Sequence, residues 1–138
     1  MRPTILYLTG LKDDYTQDGH VLVQALQRNA LNAGLNGNAV AQLEQADEQL
    51  NAPFGHFASS TLASSTKALE SSDANDATYT SIEAQIASLT TQRDALASTI
   101  RQALNDAAFN GGNITNAQAQ QWITQANALI AAAAALPK

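Results

Sequence analysis

The sequence predicts an all-α protein: an antiparallel three- or four-helix bundle with a short N-terminal helix-loop arm. Three observations lead there. Apolar residues recur three and four apart along successive segments, the period of a helix with one buried face. Glycine and proline punctuate those segments at Gly34, Gly37, Pro53 and Gly111–Gly112. The last two segments are long and joined by a tight glycine turn, which makes an antiparallel hairpin. The expected organisation is an arm over 1–35 that forms no domain of its own, followed by a helical bundle over 36–138.

In chain order, Pro3 suits the first turn of a helix, where its missing N–H costs nothing, and Gly10 offers the stop after an apolar run. Residues 12–19, KDDYTQDG, are turn chemistry: carboxylates that bond nearby amides, then an Asp-Gly pair. The stretch VLVQALQRNAL after it reads as a strand end or a further short helix. Between Asn38 and Asn51, Val40, Leu43, Ala46 and Leu50 share a face opposite Gln, Glu and Asp side chains. Pro53 ends that helix and opens the next, in which Phe54, Ala58, Leu62, Ser65 and Leu69 form the expected apolar stripe. Residues 71–78 read as loop and cap, with Asp76 or Thr78 as N-cap.

The clearest periodicity runs from Tyr79 to Phe109. Tyr79, Ile82, Ile86, Leu89, Arg93, Leu96, Ile100 and Ala103 make a near-heptad seam with one arginine inserted. After NGG at 110–112, Asn113 or Thr115 can cap a last helix whose stripe is Ile114, Ala119, Trp122, Ala126, Leu129, Ala133 and Leu136. Alanine dominates several stripes, so each buried position contributes less than the ~1.5–3 kcal/mol of a large apolar side chain. The core is expected to be thin, and to gain from packing against another surface.

Composition narrows the function classes. Twelve acidic against seven basic side chains give a net charge of −5, a field that repels phosphate backbones and anionic lipid. Nucleic acid is not an expected partner. With no cysteine there is neither a disulfide framework nor thiolate chemistry. Only 14% of residues are charged, so neutral polar groups coat the exposed faces, a hint of an extracytoplasmic bacterial protein that leaves the compartment open. No signal peptide is read at the N-terminus, where Asp13 and Asp14 interrupt the apolar run. The most apolar stretch, ALIAAAAAL at 128–136, is far short of the roughly 20 residues that span a bilayer.

The first 22 residues carry a pattern of their own. RPTILYLTGL, a short acidic loop and DGHVL have the form Pro-Thr, apolar run, Gly, then Asp-Gly and an apolar residue. Over Pro3, Thr4, Leu6, Gly10, Asp18, Gly19 and Leu22 this resembles the segment that closes the catalytic domain in the alkaline phosphatase superfamily, the metal-dependent phosphatases, phosphodiesterases and sulfatases. His20 departs from the pattern, standing where arginine is usual. The resemblance covers about residues 2–22. It implies that the nucleophile, the paired metal carboxylates and the metal-binding histidines of such an enzyme lie ahead of this segment, so that Met1 falls just past an active site. The chain would then be the tail of a phosphoric or sulfuric ester hydrolase, detached by truncation, a split gene or an expression boundary, from a family often extracytoplasmic.

The reactive inventory, taken without any family, is poor. A metal or triad site needs several converging His, Asp, Glu or Cys ligands, or a nucleophile held by a base. His20 in the Asp-Gly turn and His56 one turn into its helix have no second ligand at helical spacing, and solvated or capping roles are expected for both. Asp13, Asp14 and Asp18 lack the spacing of a calcium loop and read as turn-forming carboxylates. Glu44, Asp47 and Glu48 read as an exposed face. Arg93 in the seam is expected to reach the bundle edge or a helix C-terminal carbonyl, since Asp94 and Asp106 are poorly phased. Trp122 reads as a core or interface anchor, because 111–137 holds no basic residue. NGGN at 110–113 has no strand before it and no lysine after it, so it is no phosphate loop.

No residue is therefore assigned to catalysis, to a cofactor or to a metal. Two readings of function remain. In the first, the chain is a non-catalytic C-terminal helical module or fragment of an alkaline-phosphatase-like phosphoesterase, with a structural or interaction role against a missing catalytic domain or another protein surface. In the second it is a free-standing helical-bundle adaptor or structural protein unrelated to hydrolases. The first predicts that Ile5, Leu6, Leu8 and Leu11 lack a full set of neighbours and leave an apolar patch; the second predicts them buried. A homodimer is open to either, because alanine stripes permit close helix approach.

Overall fold

The computed structural model describes residues 1–15 and 18–138; Thr16 and Gln17, within the expected acidic loop, lie outside the described residues. The protein is an all-α helical bundle preceded by a short N-terminal helix. The α-helices are α1 (Arg2–Thr9), α2 (Asn38–Asn51), α3 (His56–Leu69), α4 (Ala77–Phe109) and α5 (Asn116–Ala134). No described helix is long and apolar enough to cross a membrane. The residues gather into two compact units: Met1–Gln45 with Ser98–Ile123, and Ala46–Ala97 with Thr124–Lys138.

The first unit is built on α1, the start of α2, the end of α4 and the start of α5. Val21, Leu35, Leu43, Ile100, Leu104 and Ala119 are all fully buried in it. Gly111 turns the chain in the left-handed region at φ 75°, which a glycine adopts without strain, and the Gly112 N–H reaches back to the Asp106 carbonyl at 3.1 Å. Thr115 is the cap of α5: its hydroxyl accepts the Gln118 N–H at 3.2 Å while the Gln118 carboxamide accepts the Thr115 N–H at 3.1 Å, a reciprocal capping box. The stretch from Val21 to Leu31 is neither strand nor α-helix. It forms two 3₁₀ turns, Val23–Ala25 and Arg28–Ala30, separated by extended backbone at Leu26 and Gln27.

The face of α2 is wider than the expected stripe. Val40, Leu43, Ala46 and Leu50 are buried as the periodicity requires, but Glu44 and Asp47 are buried too, and only Glu48 of the three carboxylates is exposed. A carboxylate is buried at tolerable cost only when its lone pairs are met, and Glu44 meets that condition through partners described below.

The second unit corrects α3. Of the expected stripe, Phe54, Leu62 and Leu69 are exposed while Ala58 and Ser65 are half-buried, and the inward row is Phe57, Thr61, Ser64 and Ala68. At 100° per residue the two rows lie about a quarter-turn apart, so burying one leaves the other toward the helix flank. The row containing Phe57 wins: it places one large ring in the core, and Ser64 and Ala68 give room for close approach. Ser64 satisfies its hydroxyl locally, donating to the Ser60 carbonyl at 3.1 Å. Ile82 and Leu96 of the α4 seam are buried in this unit, whereas Tyr79 reaches solvent. Arg93 is half-buried; its Nε lies 2.8 Å from the Asp94 carboxylate and its guanidinium lies 5.6 Å from the centre of the Phe57 ring. Stacking on an aromatic face offsets the loss of water around the cation, which explains why the seam tolerates it.

Candidate functional site

The arm in the first unit is the part of the molecule with two characters. Pro occupies the opening turn of α1, and Gly10 closes it at φ 68°, with the Leu11 N–H bonded to the Leu6 carbonyl at 2.9 Å. Eight residues are too few to hold a helix alone in water, so α1 needs tertiary support. One side supplies it. Pro3 and Thr4 are buried; the Thr4 hydroxyl accepts the Leu22 N–H at 3.1 Å, and the Tyr7 hydroxyl accepts the Asn32 N–H at 2.6 Å. The Tyr7 and Phe109 rings meet edge to face at 6.3 Å.

The other side is bare. Ile5, Leu8 and Leu11 are 58%, 56% and 59% exposed, and Met1 extends the same row, while Leu6 is half-buried. Ile5 and Leu8, three apart, lie on one flank of α1 with Met1 at its head, and Leu11 follows just past the Gly10 stop, so the exposed apolar side chains are concentrated in this arm.

The loop after α1 is fastened to α4. Asn105 donates to the Gly19 carbonyl at 3.1 Å, Arg101 donates to the Asp18 carbonyl at 3.3 Å, and Lys12 bonds the Asn110 side-chain carbonyl. Arg2 pairs with Asp13 and lies over the Tyr15 ring at 5.9 Å. A cleft of about 440 Å³ remains beside these contacts, lined by Lys12, Tyr15, Arg101, Asp106 and Phe109 among others. Its cations Lys12 and Arg101 are engaged in holding the loop.

Glu44 is the one buried carboxylate whose partners explain the neighbouring turn. It is 1% exposed, and its two oxygens accept the Val23 and Gln24 N–H groups at 2.9 and 2.8 Å, capping the 3₁₀ turn; His20 Nε2 lies 3.5 Å away. Thus His20, read in the sequence as solvated or capping, and Glu44, read as part of an exposed face, come together as a fastener. His56, Asp14 and Asp18 are exposed, and Asp13 is held by Arg2 and by the Tyr15 N–H at 3.1 Å. Among the described residues no three His, Asp or Glu side chains are placed to hold a metal ion. Trp122 is half-buried.

Sequence reasoning missed Tyr7 and Asn32. The Asn32 carboxamide donates to the Ala107 and Ala108 carbonyls at 2.9 and 3.3 Å, closing the C-terminus of α4, and accepts the Leu35 N–H at 3.1 Å. Its setting, LNAGLNG, carries a turn signal that marks such an asparagine as a backbone binder but not which helix end it meets. Comparison of the chain with protein-family models, with curated proteins and with solved structures finds no match.

Proposed function

We propose that this chain is a non-catalytic helical module of an alkaline-phosphatase-like, metal-dependent phosphoesterase, with α1 lying between the bundle and the surface of a catalytic domain. The split character of α1 carries the reading. Its Thr4 and Tyr7 side is fixed to this chain, so the helix is ordered in advance, and its Ile5 and Leu8 side, with Leu11 just past the Gly10 stop, is left for another surface. Pre-ordering lowers the entropy that docking would otherwise cost. The likeness of residues 2–22 to the closing segment of that superfamily supplies the class of partner. The role is structural, and the module supplies no ligand or nucleophile to the reaction.

The DNA ahead of the Met1 codon tests this. The reading expects an in-frame segment encoding a Ser or Thr nucleophile with metal-ligand aspartates and histidines; a promoter and ribosome-binding site directly before Met1 would contradict it. That upstream polypeptide, purified separately, is expected to bind this chain, with Ile5→Ser and Leu8→Ser together weakening the complex about tenfold, near 1.4 kcal/mol.

A second reading, a free-standing helical adaptor, draws support from one observation: Thr4 and Tyr7 tie α1 to residues of its own chain. It gains if the upstream DNA encodes no such domain.

A further inference from the structure

The second unit carries an apolar face of its own. Leu62 and Leu69 are 69% and 71% exposed on one flank of α3, seven residues apart, with the short side chains of Ser65 and Thr66 between them. Just ahead of the helix, Phe54 is 96% exposed. Its place is set by Gly55, which packs so tightly on the end of α2 that a Cβ there would lie 2.5 Å from the Gln49 carbonyl oxygen. At the opposite end of α3, Ala68, Leu69, Ser71, Asp76 and Tyr79 line an open pocket of about 240 Å³. A protein cavity of about 150 Å³ is enough to take a benzene ring, so this pocket has room for a phenyl side chain.

We propose that this face pairs with a second copy of the same chain, α3 against α3 in antiparallel register, with each Phe54 seated in the other copy's Leu69–Tyr79 pocket. A two-fold axis between Ser65 and Thr66 lays Leu62 of each copy on Leu69 of the other, with short side chains where the backbones come closest. The same axis brings the knob at one end of α3 to the hole at the other end, twice. That self-complementarity is what an isologous interface demands.

Charge agrees with this occupant. Although the chain carries a net charge of −5, α3 from His56 to Leu69 has Lys67 as its single formal charge, and Lys67 lies 3.5 Å from Glu70. Pairing therefore sets no carboxylate of α3 itself against another; the acid nearest the axis is Glu83 of α4, which is held by the Ser65 hydroxyl at 2.8 Å. The antiparallel arrangement instead sends the positive N-terminal end of each α3, with His56, toward the acidic Asp73 and Asp76 of the other copy. Phe54, Leu62, Leu69 and the edge of Tyr79 offer on the order of 500 Å² per copy, so the pair buries about 1,000 Å², the lower edge of specific interfaces. The dimer is accordingly weak and reversible. It uses residues of the second unit alone and does not rest on the α1 reading.

Sedimentation of the full chain from micromolar to millimolar concentration tests this. The weight-average mass is expected to rise from 14.5 kDa toward twice that value. Phe54→Ser and Leu62→Glu are expected each to raise the dimer dissociation constant at least about tenfold, while Ile5→Ser with Leu8→Ser leaves it unchanged. Both altered positions are exposed; should Leu62→Glu fail to fold by circular dichroism, Phe54→Ser carries the test. As the chain has no cysteine, Thr66→Cys is expected to oxidise to a cross-linked dimer faster than Gln121→Cys. A monomer at every concentration, a dimer indifferent to Phe54→Ser, or a dimer broken by the α1 substitutions instead would each overturn the proposal.

Discussion

The Glu44 carboxylate and the Val23 N–H, 21 residues apart, are joined by a buried hydrogen bond of 2.9 Å. With the companion bond to the Gln24 N–H, it fixes the 3₁₀ turn that leads from the arm into the bundle. Removing a partner from buried donors costs more than the net value of the bonds themselves. Glu44→Ala is therefore expected to lower stability by about 2–4 kcal/mol, and Glu44→Gln, which keeps one acceptor, by roughly half that. Urea unfolding checks both; a loss below about 0.5 kcal/mol for the alanine variant would contradict the role.

Tyr7 holds α1 by a single hydroxyl and one ring edge. Tyr7→Phe is expected to cost about 1 kcal/mol and to speed hydrogen exchange at the Asn32 amide, which loses its acceptor. Tyr7→Ala removes the contact with Phe109 as well and is expected to cost about 3 kcal/mol. Exchange at Asn32 unchanged in both variants would show that α1 is held elsewhere.

Gly34 is a position where any side chain meets backbone. A Cβ there would lie 2.5 Å from the Gly112 carbonyl oxygen and 3.2 Å from that of Ala107, neither of which is the end of a flexible side chain. Gly34→Ala is expected to destabilise by about 2–3 kcal/mol. Gly10→Ala, at φ 68° with open space around it, is expected to cost only the ~1–2 kcal/mol of left-handed backbone. Thermal unfolding of the two variants side by side ranks them, and a reversed order would refute the close approach at Gly34.

These positions also show where sequence logic reached and where it stopped. The limits of α2, the glycine stop of α1 and the α4–α5 turn were legible because local chemistry decides them: periodicity, a left-handed glycine, a capping threonine. The inward face of α3 was not. Apolarity favours the row of Phe54, Leu62 and Leu69, but the space beside α3 suits one ring and small neighbours, and that space is made by residues distant in sequence. Glu44 was misread for the same reason. A carboxylate is expected to face water unless amides wait for it, and those amides belong to a 3₁₀ turn that no local pattern announces. The apolar residues of the arm were legible, but whether this row is covered was left open between two readings; Ile5, Leu8 and Leu11 are exposed and Leu6 is half-buried.

Whether that row serves the chain's own fold can be measured directly by urea unfolding of the Ile5→Ser, Leu8→Ser double variant against the wild type. If the row is bare and reserved for another surface, the two midpoints agree to within about 0.5 kcal/mol, as for other exposed substitutions. A loss of 2 kcal/mol or more, on the order of that caused by truncating a buried leucine, would mean that the row already has its partners within this chain and that α1 is not a docking element.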